Sequence, residues 1–136
     1  MQGGAMNPTI LVIDDEPVIQ EVLEGLLETK GYFSHRCMNG KDAFKAMNEM
    51  DFNLVILDIN LPDINGLEVA DHLEMTHPDT PVIFITGEYS VESKTLEDEC
   101  KGRADRHFIH KPITGKLLFA AVDKLVQVNL EKSLSH

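Results

Sequence analysis

Leu54-Val55-Ile56-Leu57-Asp58 is the stretch on which the fold turns. Four apolar residues with no polar alternation read as a strand covered on both faces, as at the centre of a parallel sheet. The run ends abruptly in an acid. After it, Ile59-Asn60-Leu61-Pro62-Asp63-Ile64-Asn65-Gly66 is dense in turn formers and reads as a loop. The same plan recurs on both sides. Thr9-Ile10-Leu11-Val12-Ile13 is a β-branched run cut off by Asp14, Asp15 and Glu16, and Pro17 suits the first turn of a helix. That helix carries Ile19, Val22, Leu23, Leu26 and Leu27 at helical spacing and ends at Gly31. A weaker strand is expected over 32–37, Asn39-Gly40 marks a turn, and Ala43, Ala46, Met47 and Met50 form a short amphipathic helix. Beyond the central strand, helices are expected over about 67–76, 90–100 and 114–130, with strands over 81–86 and 108–110. Inner-face residues are Leu67, Ala70 and Leu73 in the first helix, and Leu117, Leu118, Ala121, Val122, Leu125 and Val128 in the last. Five strand–helix units in this order predict an α/β fold, a parallel sheet with right-handed crossovers and helices on both faces.

The chain has 136 residues and 15.2 kDa, enough for one domain with a real core. Hydrophobic residues are 43% and charged residues 26%, which speaks against wholesale disorder. The bias is acidic: 12 Lys+Arg against 23 Asp+Glu, net −11. Such a chain disfavours direct binding to a nucleic-acid backbone or an anionic membrane. Cys37 and Cys100 lie far apart, match no zinc spacing and read as small buried apolar residues. The opening shows no signal-peptide pattern, no apolar run nears the roughly 20 residues of a membrane span, and a cytoplasmic setting is expected. Residues 1–7 read as a disordered start, 8–128 as the domain and 129–136 as a tail or the beginning of a linker.

In an open α/β sheet, ligands bind at the carboxyl ends of the strands. The polar residues there are Asp14 and Asp15, Asp58, Thr86 and Lys111. Singly, each has an ordinary explanation as a cap, a turn or a loop residue. Together they form a chemical set. Three carboxylates in one pocket repel one another, and a hard divalent cation removes that problem; Mg²⁺ prefers oxygen donors. Lysine and hydroxyl opposite a metal suit an anion such as phosphate. Asp58 is then a candidate nucleophile that forms an aspartyl phosphate.

With those residues in place, ILVIDDEP, LVILDINLPDINGLEV, VIFITGE and IHKPI resemble the receiver domain of two-component response regulators over about residues 8–128. The resemblance implies a flavodoxin-like, CheY-like doubly wound sheet of five parallel strands in the order 2-1-3-4-5, with five helices in an α/β/α sandwich. It implies that Asp58 is the phosphoacceptor, that Asp15 ligates Mg²⁺ directly and Asp14 through water, and that the Asn60 backbone carbonyl is a further ligand. Mn²⁺ would substitute for Mg²⁺. Thr86 would hydrogen-bond the phosphoryl group, Lys111 would pair with it, and the Lys111-Pro112 bond would be cis. Phe108 stands at the position of the switch aromatic, without a tyrosine hydroxyl. The donor would be a phosphohistidine on a sensor histidine kinase or phosphotransfer protein. The target would be an output domain or a separate protein, reached through the fourth helix, fifth strand and fifth helix. The domain would be a signalling phosphoacceptor that catalyses only its own phosphorylation and dephosphorylation, not an enzyme in the usual sense. Asn60 and Glu88, each two residues past a site residue, would tune the lifetime of the phosphorylated form.

Two alternatives stay open at this point: a receiver-like scaffold that binds a partner without phosphorylation, and a phosphohydrolase of the haloacid dehalogenase type. The latter puts its acid pair after the first strand, whereas Asp58 follows the third and has Asn60 at +2. A flavin-binding flavodoxin would need a phosphate-cradling loop where this chain has Asp-Asp-Glu-Pro. The chain departs from the family before the fifth strand. A Gly-Ala pair is displaced, and Lys101, Arg103, Arg106, Lys111 and Lys116 cluster there. That basic patch reads as a solvated loop, or as a contact for Glu97, Asp98 and Glu99 of a second copy in a homodimer through the output face. The six histidines read as surface or loop residues, with His107 and His110 as candidates to modulate the site. The C-terminal helix running on into a polar tail suggests that this is the receiver segment of a longer protein.

Overall fold

The computed structural model describes residues 8–134, so the disordered start expected over 1–7 and the last two residues of the expected tail lie outside the described residues. Strand and helix alternate as β1 (Thr9–Ile13), α1 (Pro17–Thr29), β2 (Phe33–Cys37), α2 (Gly40–Glu49), β3 (Leu54–Asp58), α3 (Gly66–Thr76), β4 (Val82–Thr86), α4 (Val91–Lys101), β5 (Arg106–His110) and α5 (Gly115–Leu134). All strand pairs are parallel, in the order β2-β1-β3-β4-β5. Every residue of β3 and of β4 is buried, as the unbroken apolar runs required. Edge strand β2 buries little besides Cys37.

The sheet separates two cores. Leu11, Ile13, Val55, Leu57, Val82 and Phe84 point toward α2, α3 and α4, where they meet Ala43, Met47, Val69, Leu73 and Leu96. Ile10, Val12, Leu54, Ile56, Ile83, Ile85 and Ile109 point the other way, onto Leu23, Leu27, Leu118, Val122 and Leu125 of α1 and α5. Each fully buried Leu or Ile contributes about 1.5–3 kcal/mol. Alternation along a strand also decides where the polar ends project. Asp14, Asp58 and Lys111 continue the rows of Ile10 and Val12, of Leu54 and Ile56, and of Ile109, which share a face. Thr86 continues the row of Val82 and Phe84, on the opposite face.

Several local expectations need correction. The turn marked by Asn39-Gly40 is also the start of a helix: Asn39 caps α2, accepting the Asp42 N–H, and Gly40 is the first helical residue. Along α1 the fully buried stripe is Gln20, Leu23 and Leu27, while Val22 is exposed. Leu117 is exposed as well. β5 begins two residues earlier than expected, at Arg106, and α5 runs to Leu134, past the boundary expected near 128–130. His107 and His110 lie half-buried on β5, not on a loop. The basic patch is largely neutralised within the chain. Arg103 and Arg106 pair with Glu74 and Asp105, and Lys101 with Asp98. Both cysteines are buried and free, and burial pushes the Cys37 thiol up to about 12 and the Cys100 thiol to about 11. No helix among the described residues is long and apolar enough to cross a membrane.

Candidate functional site

The register carries the strand ends to one place. Ile13 lies opposite Leu57, so Asp14 and Asp58 are neighbours where β1 and β3 end. Lys111, just past β5, reaches back across β4. Its ammonium lies 2.9 Å from Asp58 Oδ2, 3.0 Å from Asp14 Oδ2 and 2.6 Å from Glu16 Oε1. The Lys111-Pro112 bond is cis. Asp14 and Asp58 are buried, whereas Glu16 is exposed.

The two buried carboxylates are oriented by nearby backbone. Asp14 Oδ1 accepts the Glu16 N–H at 2.9 Å, and Asp58 Oδ1 accepts the Asn60 N–H at 2.8 Å. Behind them, the buried Gln20 amide nitrogen donates to the carbonyls of Val12 (2.8 Å), Asp14 (3.1 Å) and Cys37 (3.1 Å), tying α1 to the ends of β1 and β2. Burial pushes the Asp14 carboxyl up to about 6, against the Glu16 N–H and Lys111, which pull it down. For Lys111, burial pulls the pKa down, but hydrogen bonds to Glu16, Asp58 and Asp14 outweigh it and hold the ammonium above the ordinary lysine value.

Asp14, Glu16 and Asp58 present carboxylate oxygens within 4.8 Å of one another. Against them stands one ammonium, which leaves an excess of negative charge. Asp14 Oδ2 is buried and makes no hydrogen bond beyond its ion pair with Lys111. An all-oxygen donor set of this kind fits a hard divalent cation such as Mg²⁺.

The remaining expected residues lie outside this cluster. Asp15 does not join the three clustered carboxylates; it lines an adjoining cleft with Asn60, Glu88 and Glu92. Thr86 is fully buried, its hydroxyl 3.4 Å from Asn60 Oδ1 and accepting the Glu88 N–H at 3.1 Å. Phe108 packs half-buried against the core beneath α2, α3 and α4, edge-on to His110 with ring centres 4.9 Å apart. His110 in turn stacks on the exposed Tyr89 at 4.1 Å. Two site residues do not stand out in the sequence. Glu16 reads as part of the acidic helix start, and the signal that could have found it is its place beside two strand-end acids. Gln20 could have been found as a polar residue three and seven positions before Leu23 and Leu27 on one stripe.

A family model described as the response regulator receiver domain matches residues 10–123. The transcriptional regulatory protein SrrA of Staphylococcus aureus is 30% identical over 122 residues, 90% of this chain and 49% of that protein. The chain thus spans about half the length of the curated relatives it matches. Among solved structures, the response regulator protein TrrA of Thermotoga maritima in complex with Mg²⁺-BeF is 37% identical, with a TM-score of 0.75 over 88% of this chain and 99% of that one. A CheY-like response regulator receiver domain protein from Methanospirillum hungatei JF-1 is similar in fold, with a TM-score of 0.83 at 24% identity over 93% of this chain and 99% of that one.

Proposed function

The chain belongs to the response regulator receiver domain family, and on that footing we propose that it is a phosphorylation switch that accepts a phosphoryl group on Asp58. One observation carries the reading: the Lys111 ammonium lies 2.9 Å from Asp58 Oδ2 inside a nest of acidic oxygens at the ends of β1 and β3. A lysine so held is placed to pair with a phosphoryl oxygen on that carboxylate. The donor is a phosphohistidine of a sensor kinase or phosphotransfer protein. An Asp58 carboxylate oxygen attacks phosphorus, the P–N bond breaks, and the imidazole leaves with the bonding pair. A Mg²⁺ ion would be held by Asp15, Asp58 and the Asn60 carbonyl, with Asp14 acting through a bound water and Glu16 adding negative charge beside them; Mn²⁺ would serve as well. When bound, it offsets the charge that gathers on the transferring oxygens. The relative crystallised with Mg²⁺-BeF supports this assignment.

Thr86 is the residue that must move. Its hydroxyl now engages Asn60 and the Glu88 N–H. Turning it toward a phosphoryl oxygen releases Asn60 and frees space for Phe108, which passes the change to α4 and β5 as a population shift. Asn60 and Glu88 line the cleft beside Asp58 and set how long the phosphoryl group survives. The output is a downstream segment or a separate partner.

The test is incubation with acetyl phosphate and Mg²⁺ followed by intact-mass measurement. One phosphoryl adduct is expected, lost in Asp58→Asn and on omission of Mg²⁺. An adduct that survives Asp58→Asn would overturn the reading. A slower or faster decay of that adduct in Glu88→Ala checks the role of Glu88, and an unchanged decay removes it.

A further inference from the structure

The loop after β3 carries Asn60 beside Asp58, yet its tip is held from outside the sheet. Asp63 Oδ1 accepts the Gly40 N–H at 2.8 Å, and Oδ2 accepts the Lys41 N–H at 3.0 Å. These are the first two N–H groups of α2, which no carbonyl of that helix can satisfy. The helix's own cap, Asn39, serves the third, on Asp42. Asp63 Oδ1 also accepts the Ile64 N–H at 3.0 Å. The Gly40 N–H above all, with those of Lys41 and Ile64, holds the Asp63 carboxyl below the usual carboxylate range, so it stays charged near neutrality.

A second contact locks the same junction. A Cβ on Gly40 would lie 2.3 Å from Ile64 Cδ1 and from Cγ1, so the Ile64 side chain occupies space that only glycine leaves open. At its base the loop is closed by the Asn60–Asn65 bridge, by the Gly66 N–H donating to the Ile59 carbonyl at 2.9 Å, and by the Asn60 N–H on Asp58. Pinned at base and tip, the loop has little freedom to move Asn60. We infer that Asp63 is a positioning residue of the site: by fastening the loop tip to the start of α2, it sets where Asn60 meets the cation beside Asp58.

The inference rests on the phosphoacceptor reading above for the cation, and it concerns how that cation is held. A cap that only stabilises α2 would act differently, and Asn39 supplies the comparison, because Asn39→Ala uncaps the same helix end without touching the loop. Mg²⁺ titration calorimetry and acetyl-phosphate kinetics across Mg²⁺ concentrations are run on the parent chain, Asp63→Ala, Asp63→Asn, Gly40→Ala and Asn39→Ala. Asp63→Ala is expected to weaken Mg²⁺ about tenfold. It slows phosphorylation in proportion at low Mg²⁺ and regains the parent rate at saturating Mg²⁺. Asp63→Asn keeps an oxygen for the Gly40 and Ile64 N–H groups and recovers most of the affinity. Gly40→Ala, which displaces Ile64, weakens Mg²⁺ from the other side of the contact and carries the test if Asp63→Ala fails to fold. Asn39→Ala loses stability but binds Mg²⁺ as the parent does. Equal Mg²⁺ affinity in the Asp63 and Asn39 variants would overturn the inference. A parent chain that binds Mg²⁺ but gains no phosphoryl group would overturn the phosphoacceptor reading and leave this one standing. A parent that binds no Mg²⁺ would overturn both.

Discussion

Asp14 bears the electrostatic strain of the site. Its carboxyl is fully buried and raised to about 6, so the folded domain keeps a proton between pH 4 and 6 that the unfolded chain has released. Stability from this group is therefore present at low pH and lost as pH rises through about 6. A shift of about two units costs on the order of 3 kcal/mol above that pH. Asp14→Asn keeps an oxygen for the Glu16 N–H and removes the charge. Urea unfolding at pH 7.5 without Mg²⁺ is expected to show a gain of about 1–3 kcal/mol for the variant, shrinking toward zero at pH 4.5, where Asp14 is already protonated. An equal gain at both pH values would show that charge is not the cause. Gln20 runs the other way. Gln20→Leu strips the Val12 and Asp14 carbonyls of a buried donor, and a loss of about 1–3 kcal/mol is expected in the same assay. These two residues also mark what a sequence can disclose. Asp14 is legible because a strand-end acid is a positional signal. Gln20 is not, because its three partner carbonyls lie on two backbone segments, the ends of β1 and β2, and a polar residue in a helix is usually assigned to water.

Two glycines show how an element's surroundings decide a substitution. Gly66 opens α3 against the backbone it follows: a Cβ there would come 2.5 Å from Ile59 Cα and 2.6 Å from the Asp58 carbonyl oxygen. Backbone cannot step aside as a side-chain tip can, so Gly66→Ala is expected to destabilise by about 1–3 kcal/mol. Because the obstructed atoms belong to Asp58 and its neighbour, phosphorylation by acetyl phosphate should slow as well. Gly25 lies inside α1, and a Cβ added there would meet nothing within 4 Å. Gly25→Ala is expected to stabilise by about 0.5–1 kcal/mol and leave phosphorylation unchanged. The strands are the most legible elements, since the runs at 9–13, 54–58 and 82–86 have one reading. Helix faces are less so. Val22 and Leu117 fit an apolar stripe by spacing, yet the packing of α1 and α5 on the sheet leaves both outside. The Asp63 contact with α2 is out of reach altogether, because it joins a loop to the start of a helix, and their proximity follows only from the folded sheet.

The net charge of −11 ties these terms together. Part of it is surface charge, screened by any salt. Another part is concentrated at Asp14, Glu16 and Asp58, where Lys111 alone is too little to balance three carboxylates. The two parts respond differently to Mg²⁺. A ligand that binds only the folded state stabilises it by mass action, about 1.4 kcal/mol at ten times its dissociation constant, which corresponds to a rise of about 5 °C in Tm for a domain of this size. NaCl at matched ionic strength screens the surface equally but cannot fill the site. Thermal unfolding at pH 7.5 is thus expected to show a larger rise with MgCl₂ than with NaCl. The excess should disappear in Asp14→Asn, which lacks a charged donor. It should also fade at pH 5 in the parent chain, because a proton on Asp14 competes with the cation below about pH 6. If MgCl₂ and NaCl raise Tm equally, the acidity acts only as surface charge, and the strand-end carboxylates do not gather a cation.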